Sequence, residues 1–359
     1  MSSHERRAGS SGGGPGPLVG VRVLVAPDKF KGTLTAADAA EVISSVAREL
    51  GAETRLMPVA DGGDGTLAVL GGPNRRSRVT GPHGRPVDAS WRLSDGVAVI
   101  EAAEACGLVL AGGAERNDPV RATSAGVGEL IGHALDEGAR RVLVGVGGVA
   151  TTDGGAGALR ALGDRLPLAR ETVEVLTDVE TPFRDAAVVF GPQKGADAAQ
   201  VAELTERLRG VRLEYLERFG VDVWDSPRTG AAGGLSGALF AAGATLVDGA
   251  RVVLRELRFA DHLAWADLVV TGEGRFDTTT LAGKAPGVVV AEAVAGGRGI
   301  VVVAGDADVA PPGVCVRTMI GTAGSERAFA EPADALRETV QVALVAVRAQ
   351  PGEPARPAP

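Results

Sequence analysis

Cysteine, histidine and aromatic residues are all scarce in this chain. Its two cysteines, Cys106 and Cys315, stand far apart with no CxxC or Cys/His spacing. That excludes a disulfide scaffold and a thiolate zinc site, and fits a reducing compartment, the cytoplasm. The four histidines (His4, His83, His133 and His262) are scattered, which leaves no histidine metal cluster. No run of Lys and Arg interrupts a net charge of −8, so neither nucleic acid nor an anionic membrane is expected as a partner. No apolar run is long enough to cross a bilayer. Residues 1–17 are rich in Ser, Gly and Pro, with Arg6 and Arg7 but no apolar h-region. They read as a disordered tail rather than a signal peptide, and the Pro-rich residues 349–359 as a second tail.

Glycine is abundant. With 52 glycines and only 3% aromatics, the core is expected to be Ala, Val and Leu, and the chemistry to sit where glycine lets backbone approach a ligand. An anionic substrate has to be met by a few placed cations and N–H groups, because the overall field is negative. At 359 residues, two domains are expected.

The chain alternates strand, glycine loop and helix, the pattern of parallel α/β units. Val21–Ala26 reads as a strand, and Thr35-Ala-Ala-Asp38 as a capping-box-like start to a helix that stops at Gly51. Further strands are expected at Thr54–Val59, Val97–Glu101, Arg141–Val146, Val173–Leu176, Ala187–Phe190, Asp267–Thr271 and Ile300–Ala304. Helices are expected after the loop ending at Thr66, over 123–136, from 157 to 162, over 198–218, from Gly233 to Ala242, with Pro286 in the first turn of another, and over 333–348.

In an open parallel sheet, ligands sit beyond the carboxyl ends of the strands. Glycines there close N–H groups on phosphate oxygens, carboxylates hold Mg²⁺, and lysines neutralise a transferring phosphoryl group. Four loops carry this combination. They are Asp61-Gly62-Gly63-Asp64-Gly65, Thr152-Asp153-Gly154-Gly155, the segment around Lys194, and the stretch holding Glu273, Arg275, Asp277 and Lys284. Asp28, Lys29 and Lys31 after the first strand are a weaker addition. For each the plainer reading is structural: an Asp as helix cap, a lysine in solvent, charges pairing on a surface. There is no GxxxxGK[ST], which excludes a P-loop NTPase. Gly145-Val-Gly147-Gly-Val-Ala150 only imitates a dinucleotide-binding turn. From the residues alone, the chain is a two-domain α/β enzyme for a phosphate or anionic substrate with Mg²⁺.

Taken together the loops resemble the bacterial type I glycerate kinase family. Ala26-Pro-Asp28-Lys-Phe30-Lys31 is similar to the family's opening motif, and Ala60-Asp-Gly-Gly-Asp-Gly-Thr66 to its second. Thr123–Ile131, Ala150–Gly157, Phe190–Ala196, Gly230–Leu235, Asp267–Asp277 and Gly283–Pro286 follow in the family's order, from about Val21 to Arg348. The resemblance implies α/β architecture with two domains of mostly parallel sheets, one of them discontinuous, and a cleft between them. The first domain would comprise residues 18–80 plus 262–348, and the inserted one 81–261. It also implies ATP and Mg²⁺, with D-glycerate as acceptor and 2- or 3-phosphoglycerate as product.

On chemistry, Asp277, Lys284 and Glu273 are the expected catalytic groups, with Glu273 and Asp277 holding Mg²⁺. Asp28, Lys31, Asp61, Gly62, Gly63, Asp64, Thr152, Asp153, Gly154, Gly155, Lys194 and Arg275 are expected to bind substrate or phosphate. The chain departs from the family at Lys29 (Ser there), Asp64 (Glu), Thr152 (Asn) and Thr181 (Asn). The stretch between Gly163 and Val173 is also short for the family. A kinase for another small hydroxy acid, or a silent binder of glycerate or ATP, are the competing readings, and the oligomeric state is left open.

Overall fold

The computed structural model describes residues 16–348; the two expected tails lie outside them except for Gly16 and Pro17. Two sheets organise the chain. The first contains β1 (Arg22–Val25), β2 (Glu53–Leu56), β9 (Leu268–Phe276), β10 (Gly299–Ala307) and β11 (Cys315–Thr318) in the order β11-β10-β9-β1-β2. All its pairings are parallel. The second contains β3 (Arg75–Thr80), β4 (Pro86–Ser94), β5 (Val97–Glu101), β6 (Arg141–Gly145), β7 (Val173–Leu176) and β8 (Thr245–Val247) in sequence order. There β3, β4 and β5 pair antiparallel, and β5 through β8 parallel. The first sheet thus joins the two ends of the chain around the second.

The central strands are short apolar runs because both faces are covered. Side chains alternate across the first sheet. Val23, Val25, Val270, Val301 and Val303 pack with Ile43 and Leu336 on one side; Leu24, Val269 and Val302 pack with Phe276 and Val289 on the other. The helices Ala36–Glu49 and Pro332–Arg348 cover the first face, and Ala285–Ala295 the second. In the second sheet Ile100, Val142, Val144, Val173 and Val175 face the larger core, which includes the fully buried Trp91. Its indole N–H donates to Ser77 Oγ at 3.0 Å. Each large apolar side chain buried this way contributes about 1.5–3 kcal/mol.

The expected helices are present. Thr35 caps the first, accepting from Asp38 N at 3.1 Å. Asp197 forms a capping box with Gln200 at the start of Ala198–Phe219. Two expectations are corrected. Ala187–Phe190 is part of the helix Ala186–Phe190 rather than a strand, with Val188 and Val189 exposed. A four-residue apolar run does not distinguish the two, and the sheet position beside β7 is taken by β8. The expected loop Gly272–Phe276 is a continuation of β9, paired with β10 from Gly272↔Val303 to Phe276↔Ala307. Glycines at 272, 274 and 305 hide this extension, because they permit backbone contact without side chains: a Cβ on Gly305 would lie 2.4 Å from Gly274 O. The β3–β4 hairpin and β11 carry no apolar run and were not expected from the sequence.

The two sheets meet at the Asp61 loop. The helix Gly249–Glu256 serves both, with Ala250 and Leu254 in the core of the first sheet and Val252 against Leu143 and Leu176 of the second. Its first residue packs backbone to backbone on Gly62: a Cβ on Gly62 would lie 2.7 Å from Gly249 Cα and 2.8 Å from Leu176 Cβ. Gly62 also has φ +91°, and Gly65 in the same loop has φ +96° with open space around it. Gly62→Ala is therefore expected to destabilise the fold by about 2–4 kcal/mol, from strain plus overpacking. Gly65→Ala should cost about 1 kcal/mol, from strain alone. Denaturant unfolding of the two variants measures the difference; equal losses would mean that the junction tolerates a side chain.

Candidate active site

The parallel strands of both sheets point their carboxyl ends at one cavity of about 890 Å³. From the first sheet come Asp28 and Lys31 after β1, Asp61 and Asp64 after β2, Glu273 and Arg275 on β9, and Asp306 on β10. The second sheet contributes Gly147 and Gly148 after β6 and Asp178 after β7. Lys284 enters as the residue preceding the helix Ala285–Ala295. Met319, Ile320, Ala328 and Phe329 form an apolar wall at one end, and Val109 belongs to the same lining.

The carboxylates are crowded and poorly solvated. Burial, together with the negative charge of Asp61, pushes Asp28 up to about 7 despite the pull of Lys29. Its Oδ1 accepts from Lys29 N at 2.6 Å. Burial lifts Glu273 to about 6 although Thr280 Oγ1 donates to it at 2.5 Å and Lys284 lies near. Asp178 is raised by burial and then by Asp61. Behind the Asp61 loop, Glu101 is pushed up to about 7, chiefly by burial, while accepting from Leu67 N at 2.6 Å. Asp61 is thus the charge that three other carboxyls feel.

Against them stand the lysines. Burial opposes the charge of Lys29, but Asp28, Asp61, Asp64 and Glu101 together raise its pKa, and its ammonium donates to the Asp64 carbonyl. Lys284 forms no ion pair within 4.0 Å among the described residues, and its charge reaches Asp178, Glu273 and Asp277. Arg275, at the rim, is held by Asp308 at 2.7 Å.

Not every expected residue lines this space. Gly63 does, but Gly62 is buried in the junction between the sheets. Asp277 caps the helix Thr278–Leu281, accepting from Thr279 N at 2.8 Å and Thr280 N at 3.2 Å. It also accepts from Thr279 Oγ1, which holds its carboxyl below the usual range. Its link to the cavity runs through Thr280, whose hydroxyl donates to Glu273. Asp153 is buried and accepts from Ser124 N, Ser124 Oγ, Gly155 N and Gly157 N at 2.9–3.1 Å. Gly154 and Gly155 pack beneath it against Phe183 and Ala238.

Lys194 and Thr152 lie together: the Lys194 ammonium donates to Thr151 O at 2.6 Å and Thr152 Oγ1 at 3.3 Å. Lys194 lines a side pocket of about 420 Å³ that shares Lys31, Gly63, Gly147, Gly148 and Asp178 with the main cavity. Asp178 and Asp306 were missed from sequence. Asp178 follows β7 directly, so the rule about strand ends would have reached it, whereas Asp306 is exposed as a site residue only by its pairing opposite Arg275.

Hard carboxylate oxygens around one space suit Mg²⁺, which needs only one or two of them when phosphates supply other ligands. Burial first, and the charge of Asp61 after it, raises Asp28 and Asp178, and a bound cation would oppose both effects. Among the described residues no group of three or more His, Cys, Asp or Glu is placed to hold a metal ion, so any Mg²⁺ here would depend on one or two carboxylates plus ligand oxygens. Nor is any helix among them long and apolar enough to cross a membrane.

Known proteins show the same arrangement of sequence and fold. The profile of the glycerate kinase family matches residues 23–172 and 165–344. The two matches overlap at residues 165–172. A glycerate 2-kinase of Escherichia coli is 39% identical over 306 residues, covering 74% of this chain and 80% of that protein. A glycerate kinase of Halalkalibacterium halodurans is 38% identical over 323 residues, covering 79% and 85%. Among solved structures, a Salmonella typhimurium protein provisionally named glycerate kinase 2 superposes with a TM-score of 0.73 at 31% identity, covering 92% of this chain and 98% of its own.

Proposed function

We propose, since this chain belongs to the glycerate kinase family, that it transfers the γ-phosphoryl group of ATP to a hydroxyl of D-glycerate with Mg²⁺, in the cytoplasm. Membership makes it a phosphotransferase with an alcohol group as acceptor. The observation that carries the rest is the single cavity where strand ends of both sheets bring together buried carboxylates and lysines. Phosphoryl transfer asks a protein for alignment, charge neutralisation and a destination for the acceptor's proton.

This chain's residues divide that work. One or two of the cavity carboxylates, Glu273 with Asp61 or Asp178, would hold Mg²⁺ beside phosphate oxygens; the ion, when bound, neutralises charge on the phosphates. Lys284 and the helix it precedes face the phosphates, where the positive end of the helix dipole adds to the ammonium. The apolar wall of Met319, Ile320, Ala328 and Phe329 suits the adenine ring. Asp28 takes the proton of the acceptor hydroxyl, its carboxyl lying near neutrality, where a general base works best. Closure of one sheet's loops on the other's would exclude water, which competes with glycerate for the phosphoryl group.

An ADP-release assay over a panel of small hydroxy acids, with NMR of the phosphorylated product, tests this reading. The expected result is Mg²⁺-dependent ADP release, fastest with D-glycerate, and NMR assigns the product as 2- or 3-phosphoglycerate. No stimulation by any hydroxy acid at saturating Mg²⁺ would refute it.

A further inference from the structure

We infer that Lys194 is the receptor for the acceptor's carboxylate, seated in the side pocket next to the phosphoryl-transfer cavity. This rests on the hydroxy-acid kinase reading above and specifies how the acid is held.

Lys194 is only 3% exposed, yet its ammonium meets neutral oxygens alone, the Thr151 carbonyl and the Thr152 hydroxyl. Two of its three N–H donors are used in this way. No carboxylate touches it. Asp153 pulls on its charge through space, but the oxygens of that carboxylate are taken up by Ser124, Gly155 and Gly157 rather than by the ammonium, and burial drives the Cys106 thiol far up, so it stays protonated. Burial holds Lys194 down to about 8, so it is still mostly charged at neutral pH. A buried cation without an anion is costly unless a ligand completes it.

The surroundings fix it in place. Asn117 Nδ2 donates to both Ala150 O and Lys194 O, at 3.0 and 2.9 Å. Gly233 makes room for the ammonium: a Cβ there would lie 3.0 Å from Nζ and 2.3 Å from Thr151 O. The pocket that Lys194 helps to line has apolar walls in Leu108, Val149 and Phe190. Among the described residues Lys194 and Lys31 are the cations that line it, with Asp178 as the anion. Such a site matches the single negative charge of a carboxylate on a short carbon skeleton. Phosphates, with more charge, are matched by the lysines of the larger cavity. Asp178 and Lys31 line both spaces, so an acid anchored at Lys194 directs its hydroxyl end toward the shared wall.

The test compares D-glycerate with its uncharged amide, glyceramide, on the wild-type chain and on Lys194→Met. In the wild type the amide should be poorer by about 10²-fold in kcat/KM, because it leaves the buried cation unpaired. In Lys194→Met the preference should collapse to within a few-fold, with the KM for ATP unchanged. An undiminished preference in the variant, or no preference in the wild type, would overturn the inference. Calorimetric titration of D-glycerate without ATP gives a second measurement: saturable binding in the wild type, lost in Lys194→Met, supports it, and equal binding sinks it. Should Lys194→Met fail to fold, Asn117→Ala replaces it, with the expectation of a KM for D-glycerate raised about 10-fold and an unchanged KM for ATP. Absence of turnover with every hydroxy acid would defeat the kinase reading instead, while the calorimetry still decides on Lys194.

Discussion

Asp28→Asn is expected to lower kcat by about 10³-fold while making the ligand-free protein more stable above neutral pH. The first effect follows from losing the general base, which typically contributes 10²–10⁴-fold. The second follows from linkage. Asp28 is 5% exposed, and burial and Asp61 raise its pKa from the ordinary carboxylate value to about 7. The folded state therefore holds this proton more tightly than the unfolded state. Stability from this group is full below the unfolded pKa and is lost as pH rises toward 7, where the buried carboxylate must ionise.

Asn cannot ionise, so the variant should melt higher than wild type at pH 8 and no higher at about pH 3, below the ordinary unfolded carboxylate pKa. Glu273 and Glu101, raised to about 6 and about 7, should leave part of the wild-type pH slope in place. Asp277→Asn is the control. Asn caps a helix about as well as Asp, and Asp277 does not line the cavity, so turnover should stay within about 10-fold of wild type. Melting curves at about pH 3 and pH 8 beside single-turnover rates decide both. A destabilised Asp28→Asn at pH 8, or one with near-normal turnover, would remove the carboxylate from the chemistry.

Lys284→Ala is expected to cut kcat by about 10²–10³-fold, the usual consequence of removing one preorganised electrostatic group. Lys284 lines the cavity, has no ion-pair partner within 4.0 Å among the described residues, and precedes the helix Ala285–Ala295. Its charge therefore serves a ligand more than the fold. It also lowers Glu273 and Asp178, so its loss should lift both carboxyls further and move the acid limb of the kcat/KM profile to higher pH. Thermal melting should change little. A collapse in melting temperature with proportionate loss of rate would make the lysine structural.

Much of the candidate site was legible because its ingredients are local. A glycine-rich turn with Asp at a strand end announces itself within seven residues, as Ala60–Thr66 does, and so does the capping-box-like helix start at Thr35–Asp38. Glu273 was legible as an acidic group but not in its setting. Gly272 and Gly274 read as loop, whereas they let β9 run on beside β10. The roles expected of Asp277 and Asp153 illustrate the same limit: each is an Asp beside turn residues, and so is Asp28. What separates them is where their hydrogen bonds go. Asp277 and Asp153 are saturated by backbone N–H groups and hydroxyls of their own neighbourhood, whereas Asp28 faces Asp61 across the cavity with only its neighbour's N–H as donor.

The sequence by itself determined the family, the α/β alternation, the helices with their caps, and the set of residues from which the site is drawn. These depend on contacts between near neighbours or on motif order, and both are written along the chain. Tertiary structure decided which strand ends converge. Val23 pairs with Leu268, 245 positions away, and the helix Gly249–Glu256 ties one sheet to the other. It also decided which charges are buried, and hence that the Asp28 carboxyl is pushed up to about 7 and that Lys194 sits as a buried cation with no direct ion-pair partner. Desolvation and Coulomb repulsion act through space, and distance in space is set by topology, which no local pattern of residues encodes.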